Sequence, residues 1–458
     1  MDGAAPQDLD TTALELAGRL RRRELSSVEL TRATFAAIAE RDGDLGAFVD
    51  LDERRALATA AAADKMLAKG GNLPPFLGVP TAIKDHEHVR YLHTRVGSRA
   101  LAWVISPFDS KLAQRCREGG FVIVGKTSCS ELTILPFVET DIGPPTRNPR
   151  ARDYYAGGSS GGAAAAVAGG LLSIAPGSDG AGSIRLPASF CGLVGFKPGR
   201  GTLFNEHGSV DVADIAVVGP LAKTVRDAAA LTDVLDGRVE LSAKSSFLSA
   251  VERVPSKLRI HVGFESPLAT LDPEVRAAVE HAAKCLESLG HAVTPGKALP
   301  DIGADEFLPI MARLMANVPL PPMTSRLLQP TTRWMRDLGR HVSDREASDR
   351  RKALEKRLDA WFVEGDPDAW LLPTCAVLPP RVGQYRGLGG EQTFRAVIPI
   401  GAFTAGFNVS GQPAVSLPAA TSKSGLPIGV QLVCRRGDDR RLFGLAASLE
   451  PLLRQATA

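Results

Sequence analysis

Two glycine-lined turns on either side of a run of small residues constrain this chain more than any other sequence feature. Residues 157–162 read Gly-Gly-Ser-Ser-Gly-Gly, and residues 177–188 read Gly-Ser-Asp-Gly-Ala-Gly-Ser-Ile-Arg-Leu-Pro-Ala. Glycine lets the backbone adopt positive φ and approach another group closely, and consecutive N–H groups can then point into one space. A flexible linker is excluded because apolar helix and strand residues at 163–175 separate the two turns. The segment therefore predicts a folded site that presents serine hydroxyls.

The residues around these turns alternate between two periodicities. Strands are predicted at 78–84, 121–124 and 171–175, where apolar and β-branched residues cluster. A helix is predicted at 111–118, and a second, made of small residues, opens at Ala163. This alternation indicates an α/β fold with a mixed or parallel sheet.

Helix signals frame both ends of the chain. Ser26 and Glu29 form a capping-box pattern, and the alanine-rich stretch 53–69 runs into two glycines. Near the other end we predict a strand at 428–433 and a last helix at 440–454. The sequence therefore predicts helices before the core and a return to the core at the end.

Charge and cysteine usage exclude several classes of protein. With 54 Lys+Arg against 51 Asp+Glu the formal charge is +3, which is too small to indicate a nucleic-acid or membrane surface. Residues 1–6 lack the pattern of a signal peptide, and no apolar run reaches the ~18 residues of a membrane span. The six cysteines are dispersed, which indicates neither a zinc ribbon nor a disulfide framework. We expect a cytoplasmic protein.

Residues 120–127 match the phosphate-binding expression G-x-x-x-x-G-K-[ST]. A P-loop needs a flexible loop between its glycines, whereas the four residues here are Phe-Val-Ile-Val. We interpret the segment as a buried strand.

Residues 157–161 also match G-x-S-x-G, the nucleophile elbow of α/β-hydrolases. That elbow follows an apolar strand, and residues 151–156 are a poor strand by sequence. Histidine and aspartate residues exist downstream, so an esterase with a Ser-His-Asp triad stays a third hypothesis.

Histidines cluster just after the strand predicted at 78–84. His86 and His88 would share one face of an extended strand, with Glu87 between them and His93 nearby. Because no clear carboxylate partner completes a ligand set, we interpret them as surface or hydrogen-bonded histidines and predict no metal site.

Taken together and in order, the motifs resemble the amidase signature family of serine amidohydrolases. The similarity extends over nearly the whole chain. Beyond the two serine turns, the matching pieces are Val79-Pro80-Thr81-Ala82-Ile83-Lys84-Asp85, Gly97-Ser98, Gly125-Lys126-Thr127 with Glu131, residues 146–149, residues 408–413 and residues 425–432.

The resemblance implies a Ser-Ser-Lys triad. By motif position Ser183 is the nucleophile, Ser159 is the bridging serine that follows a cis peptide bond, and Lys84 is the base. The implied oxyanion hole consists of the backbone N–H groups of Gly180, Ala181, Gly182 and Ser183. Neither a metal nor a cofactor is implied.

This chemistry is physically coherent without a histidine. A serine hydroxyl becomes a good nucleophile when a base takes its proton. A lysine can be that base only as the neutral amine, so its pKa must fall well below the usual ~10.4. Burial of Lys84 at the end of an apolar strand would lower its pKa.

Four of the six methionines fall within 25 residues. They are Met311, Met315, Met323 and Met335, and Trp334 lies among them. Methionine adapts to irregular apolar surfaces, so we hypothesise that residues 305–340 form a mobile apolar wall over the acyl side of the substrate. The alternative is that these residues fill a core between helices.

Four residues are predicted to contact substrate: Met311 and Met315 on this wall, Thr133 by resemblance, and Ser160 beside the bridging serine. The family often has asparagine where this chain has His86 and Ser128, and proline where it has Ala156. Substrate preference is therefore not carried over from familiar members.

The resemblance implies one α/β domain, 1–458, around a mixed sheet flanked by helices. We divide it into N-terminal helices at 8–70, the signature core at 76–240, a second half with pocket helices at 300–365, and a core return at 395–458. The predicted function is hydrolysis of a small-molecule amide to an acid and ammonia or an amine. The oligomeric state is open, a homodimer being the commonest case. Two alternatives stay open: the glutaminase-type subunit of a tRNA-dependent amidotransferase, and a catalytically silent binding protein.

Overall fold

The computed structural model describes residues 9–208, 210–238 and 240–457. The expectation about a signal peptide concerns residues that lie outside these ranges. The strands are β1 Phe48–Leu51, β2 Pro80–Lys84, β3 Val122–Thr127, β4 Arg147–Asn148, β5 Ala151–Tyr155, β6 Ile174–Asp179, β7 Val194–Lys197, β8 Val217–Ala222, β9 Arg259–Val262, β10 Ala292–Pro295, β11 Ala369–Pro373, β12 Ala414–Thr421 and β13 Pro427–Cys434. The helices are α1 Ala13–Arg21, α2 Ser27–Leu45, α3 Glu53–Lys69, α4 Lys111–Glu118, α5 Gly161–Ala168, α6 Arg185–Cys191, α7 Val225–Leu235, α8 Phe247–Ala250, α9 Pro273–Ser288, α10 Ala304–Asn317, α11 Pro330–Gly339, α12 Asp344–Val363, α13 Gly390–Gly401, α14 Gly406–Val409 and α15 Asp439–Thr457.

A large mixed sheet forms the centre of the fold. Its strand order is β10-β9-β11-β13-β12-β7-β8-β6. The pairs β10–β9 and β9–β11 are parallel, and the remaining neighbours are antiparallel. Helices α7, α9 and α15 pack against this sheet, and α6 packs against β7, β12 and β13. The predicted mixed sheet flanked by helices is therefore confirmed.

A second sheet of three strands, in the order β1-β3-β2, lies beside the edge strand β6. The hydroxyl of Thr81 on β2 donates to the carbonyl of Ile174 on β6 over 3.0 Å. Lys84 is the last residue of β2. The end of the small sheet is thereby held against the edge of the large one.

Local sequence signals explain several element boundaries. The Ser26 hydroxyl accepts from the Glu29 N–H, and the Glu29 carboxylate accepts from the Ser26 N–H, so the predicted capping box begins α2. Helix α3 ends at Lys69 with Gly70 as its C-cap, and α4 has the predicted bounds.

Two local expectations are wrong. Residues 151–155 form a strand, β5, because they pair with β4 in a small two-stranded ribbon. His86 and His88 do not share a strand face, because β2 ends at Lys84 and the chain turns there.

Helices α10, α11 and α12 pack together beside the sheets, around a cluster of buried apolar residues that includes Met311, Met315 and Met335. In the described part of the chain, no helix combines the length and apolarity needed to span a bilayer.

Candidate active site

Lys84 is buried where the two sheets meet, with 1% of the residue exposed. Its Nζ lies 2.7 Å from Ser159 Oγ and 2.9 Å from Ser178 Oγ. Loss of hydration lowers the pKa of the Lys84 ammonium to about 8, although the charges of Glu87 and Asp179 oppose the shift. A neutral amine is therefore accessible near neutral pH.

Ser159 lies in the turn that leads into α5. The Gly158–Ser159 peptide bond is cis, as the resemblance implied. Helix α5 contains only glycine, alanine and valine, and its small side chains let it pack closely beside β2, β3 and β6. This packing places the Ser159 hydroxyl beside Lys84.

Ser183 lies partly exposed in the second glycine-lined turn, just before α6. Both Ser183 and Ser159 line one cavity. The Ser160 N–H donates to the Ser183 carbonyl over 3.2 Å, which ties the two turns together. The three residues of the implied triad are thus gathered from β2, the turn before α5 and the turn before α6.

Asp179 organises the turn that carries Ser183. Its carboxylate accepts from the N–H groups of Gly182 at 2.6 Å and of Ile184 at 3.2 Å. Gly182 has φ +126°, and a Cβ at this position would lie 2.4 Å from the Thr404 hydroxyl. Only glycine fits there, which explains the residue before the serine.

A buried ion pair fixes Asp179 in turn. Arg185 donates to Asp179 through Nε at 2.9 Å and Nη2 at 3.0 Å. Arg185 also donates to Gln431 Oε1 and Asn408 Oδ1, and Asn408 Nδ2 donates to the Asp179 carbonyl at 2.7 Å. Burial raises the pKa of the Asp179 carboxyl, but the Arg185 charge outweighs it and holds that pKa well below its usual range.

The predicted oxyanion hole needs one correction. Gly180, Ala181 and Ser183 line the cavity, whereas the Gly182 N–H is directed to Asp179. A donor engaged by a carboxylate at 2.6 Å does not serve an oxyanion, so Gly182 holds the turn instead. The Thr404 hydroxyl supports the turn from outside by donating to the Ala181 carbonyl at 2.7 Å.

The cavity measures about 730 Å³ and reaches from the serines to helix α10. Its wall is mainly apolar, and Met311 and Met315 contribute to it. Met335 is instead buried among the helices, and Met323 is 84% exposed. Each sequence interpretation therefore holds for part of the methionine segment: Met311 and Met315 line the cavity, and Met335 fills a core between helices.

Of the two other residues predicted to contact substrate, one lines the cavity and one does not. Thr133 lines the cavity, with its backbone at φ +62°. Ser160 is 0% exposed, and its hydroxyl donates to the Ser178 carbonyl. In the described chain Ser160 lies behind the cavity wall, so it positions the turn and does not face a ligand.

The structure agrees with setting aside both formal motif matches. Residues 122–127 form strand β3, and the Lys126 amine is buried 3.0 Å from the His93 carbonyl. A Cβ at Gly125 would lie 2.1 Å from the Asp50 carbonyl oxygen, so this glycine serves the contact between β3 and β1. In the G-x-S-x-G match, the hydroxyl of Ser159 pairs with Lys84 and not with a histidine.

Sequence analysis missed two polar residues of the site. Ser178, on β6, is the second partner of Lys84, and its place in the quoted Gly-Ser-Asp-Gly stretch was the available signal. His207 approaches His86 and Glu87 on the cavity wall from 120 residues away, and nothing in its local sequence marked it. His88 bonds Ser106 and His93 bonds Asp50, so neither joins this group.

Comparison with known proteins agrees with this geometry. The family model described as Amidase matches residues 29–443. A putative amidase of Synechocystis sp. is 34% identical over 455 residues, covering 96% of this chain and 88% of the relative. The 6-aminohexanoate-cyclic-dimer hydrolase of Paenarthrobacter ureafaciens is 33% identical over 483 residues, covering 97% and 95%.

Solved structures share the fold over nearly the whole length of the chain. A 6-aminohexanoate cyclic dimer hydrolase complexed with substrate has a TM-score of 0.86 at 31% identity, covering 97% of this chain and 98% of that one. A bacterial aryl acylamidase of the amidase signature family has a TM-score of 0.84 at 26% identity, covering 96% of both chains. With the family model matching nearly the whole chain, this protein belongs to the amidase signature family.

Proposed function

We propose that this amidase-family hydrolase cleaves a carboxylic amide through an acyl-enzyme on Ser183, with Ser159 as proton relay and Lys84 as base. The observation that carries the proposal is the 2.7 Å contact between Lys84 Nζ and Ser159 Oγ, beside the cavity that Ser183 lines. A lysine whose pKa is lowered to about 8 is suited to accept and return a proton near neutral pH.

In the proposed cycle Ser183 Oγ forms a bond to the amide carbonyl carbon. The Ser183 proton passes to Ser159 Oγ as the Ser159 proton passes to Lys84 Nζ. The negative charge on the carbonyl oxygen is held by backbone N–H groups of Gly180, Ala181 and Ser183, each worth about 3–4 kcal/mol in the transition state. Return of the proton through Ser159 to the nitrogen lets the C–N bond break.

Hydrolysis then completes the cycle. Water attacks the acyl carbon while Lys84, again neutral, takes its proton through Ser159. Collapse of the second tetrahedral intermediate releases the acid and returns a proton to Ser183. Every proton transfer uses the same serine–lysine pair.

The cavity suggests the class of substrate. Apolar side chains of α10 line the wall, and the volume of about 730 Å³ is in the range of small-molecule sites. Two relatives are named for hydrolysis of a 6-aminohexanoate cyclic dimer and as an aryl acylamidase. We propose that the substrate is an amide with an apolar acyl or amine part. We also propose that the enzyme works in the cytoplasm.

The test is intact-mass spectrometry after reaction with a fluorophosphonate probe. We expect one adduct on the wild type, none on Ser183→Ala, and much slower labelling of Lys84→Ala. Ser173→Ala is the matched control, because Ser173 is a buried serine away from the cavity lining. Labelling that survives Ser183→Ala, or that is unchanged in Lys84→Ala, would contradict the mechanism.

A further inference from the structure

Three potential metal ligands converge on one wall of the cavity. His207 Nε2 lies 2.9 Å from His86 Nε2 and 2.9 Å from Glu87 Oε1. His86 Nε2 lies 3.3 Å from the same carboxylate oxygen. The three atoms form a nearly equilateral triangle, and the proposed hydrolysis uses none of them.

The backbone holds this triangle from two directions. Glu87 follows the end of β2, where its N–H donates to the Lys84 carbonyl at 3.0 Å. His207 is held in its loop by its own N–H, which donates to Asn205 Oδ1 at 3.0 Å. The neighbouring Glu206 anchors the loop by accepting from the first N–H groups of α4. Hydrogen bonds of the backbone therefore fix the positions of the segments that carry the three ligand atoms.

Hydrogen bonds among the three residues cannot satisfy every close pair of atoms in the triangle. Two imidazole nitrogens 2.9 Å apart cannot both carry a hydrogen, so at least one presents a lone pair. The single N–H that His207 Nε2 can offer has two acceptors at the same distance, His86 and Glu87. A cation bound to all three atoms would satisfy them at once.

The donor set and its spacing fit a zinc-like ion. Two imidazoles and one carboxylate are typical of three-ligand zinc sites that keep an open position. With bonds of about 2.0–2.1 Å, an ion above this triangle would sit roughly 1 Å out of the donor plane. The remaining position then belongs to a water or to a ligand in the cavity.

We propose that His86, Glu87 and His207 bind a divalent transition-metal ion of the Zn²⁺ class in the wall of the substrate cavity. All three residues line that cavity together with Ser183, so the open coordination position faces the space a substrate would occupy. The ion would take an oxygen or nitrogen atom of a bound molecule and would transfer none of the protons that pass along the serine–lysine relay.

The test titrates the metal-free full chain with Zn²⁺ by calorimetry and with Co²⁺ by visible absorption. We expect one ion per chain and a Co²⁺ spectrum of low coordination number. Glu87→Gln and His207→Ala should each weaken Zn²⁺ binding by at least about 100-fold. Thermal unfolding of each metal-free variant checks that the chain still folds.

Two controls separate this site from adventitious binding. His88→Gln changes a histidine of the same cavity that bonds Ser106, and it should leave the affinity unchanged. His281→Ala removes a histidine whose Nε2 lies 3.6 Å from the Cys285 thiol, another pair that attracts zinc. The proposal is overturned if the wild type binds no stoichiometric ion. It is also overturned if binding follows His281 and not His207.

Discussion

Lys84 occupies the end of β2 with its amine enclosed by protein, and this enclosure sets the chemistry that the amine can perform. Exposed, the same amine would hold its proton at neutral pH. Burial disfavours the ammonium, while Glu87 and Asp179 restore part of its stability. The outcome is a pKa of about 8, so that at pH 7 about a tenth of the enzyme carries the neutral amine.

This pKa predicts the pH dependence of the reaction. Because the proposed mechanism needs the neutral amine, kcat/KM should rise about tenfold per pH unit below pH 8 and level off above it. In Lys84→Ala the rate should fall by about 10²–10⁴-fold and this ascending limb should vanish. A pH–rate profile from pH 6 to 10 makes the measurement.

Lys197 provides the control for that profile. It is also buried, and loss of hydration lowers its pKa to about 7, but it lies away from the cavity lining and its amine donates to the Pro198 carbonyl. Lys197→Gln should keep the midpoint near 8 with its ascending limb. If the ascending limb disappeared in Lys197→Gln and persisted in Lys84→Ala, the assignment of Lys84 as the base would be wrong.

At the scale of elements, α10 is the part of the fold that links packing to specificity. One face of the helix contributes Met311 and Met315 to the cavity, and the helix also packs against α11 and α12. A change on this helix therefore affects both stability and the shape of the site. The two effects separate because not every methionine of the cluster reaches the cavity.

We predict that Met315→Ala and Met335→Ala have similar costs in stability and different effects on catalysis. Both side chains are buried, so each truncation should cost about 2–5 kcal/mol of unfolding free energy. Only Met315 lines the cavity, so only Met315→Ala should raise KM for an apolar amide. Denaturant titration and steady-state kinetics measure the two quantities.

The same pair tests the proposed apolar wall. Equal KM shifts in both variants would mean that loosening of the helices, and not contact with substrate, governs binding. Hydrogen exchange across residues 305–340 adds a second readout. Protection of this segment that a bound inhibitor leaves unchanged would argue against a mobile wall over the substrate.

At the scale of the whole molecule, the order of strands in the large sheet differs from their order along the chain. The last two strands, β12 and β13, lie between β11 and β7 in the middle of the large sheet. The same C-terminal region supplies Asn408 and Gln431 to Arg185, which holds Asp179 against the turn that carries Ser183. The N-terminal and C-terminal parts of the chain thus complete one site.

We predict that the segment 1–394 does not fold on its own. Without residues 395–458 the sheet would be split between β11 and β7, leaving two unpaired strand edges and an exposed core. Circular dichroism and gel filtration should show aggregated or unfolded material. The full chain should unfold with coincident transitions by fluorescence and circular dichroism. A monomeric, cooperatively melting 1–394 fragment would contradict the single domain predicted for 1–458.

The sequence by itself determined the family resemblance, the α/β character and the identity of the three proposed catalytic residues. The motifs that carry the resemblance reflect local chemistry: glycines where the backbone must turn or come close, small residues in α5, and an apolar strand that ends in lysine. The three proposed catalytic residues were then assigned by their positions in the motifs of the resembling family. The capping box of α2 and the bounds of α4 were equally readable, since such signals act within one turn of a helix.

Only the tertiary structure decided which polar groups share a partner. Ser178 joins Lys84 because β6 lies beside β2, and His207 reaches His86 because a distant loop returns to the end of that strand. It also turned the Gly182 N–H toward Asp179 and buried Ser160 behind the wall, although their sequence neighbours face the cavity. Hydrogen-bond partners and burial depend on long-range contacts between elements, which the periodicity of a single segment does not encode.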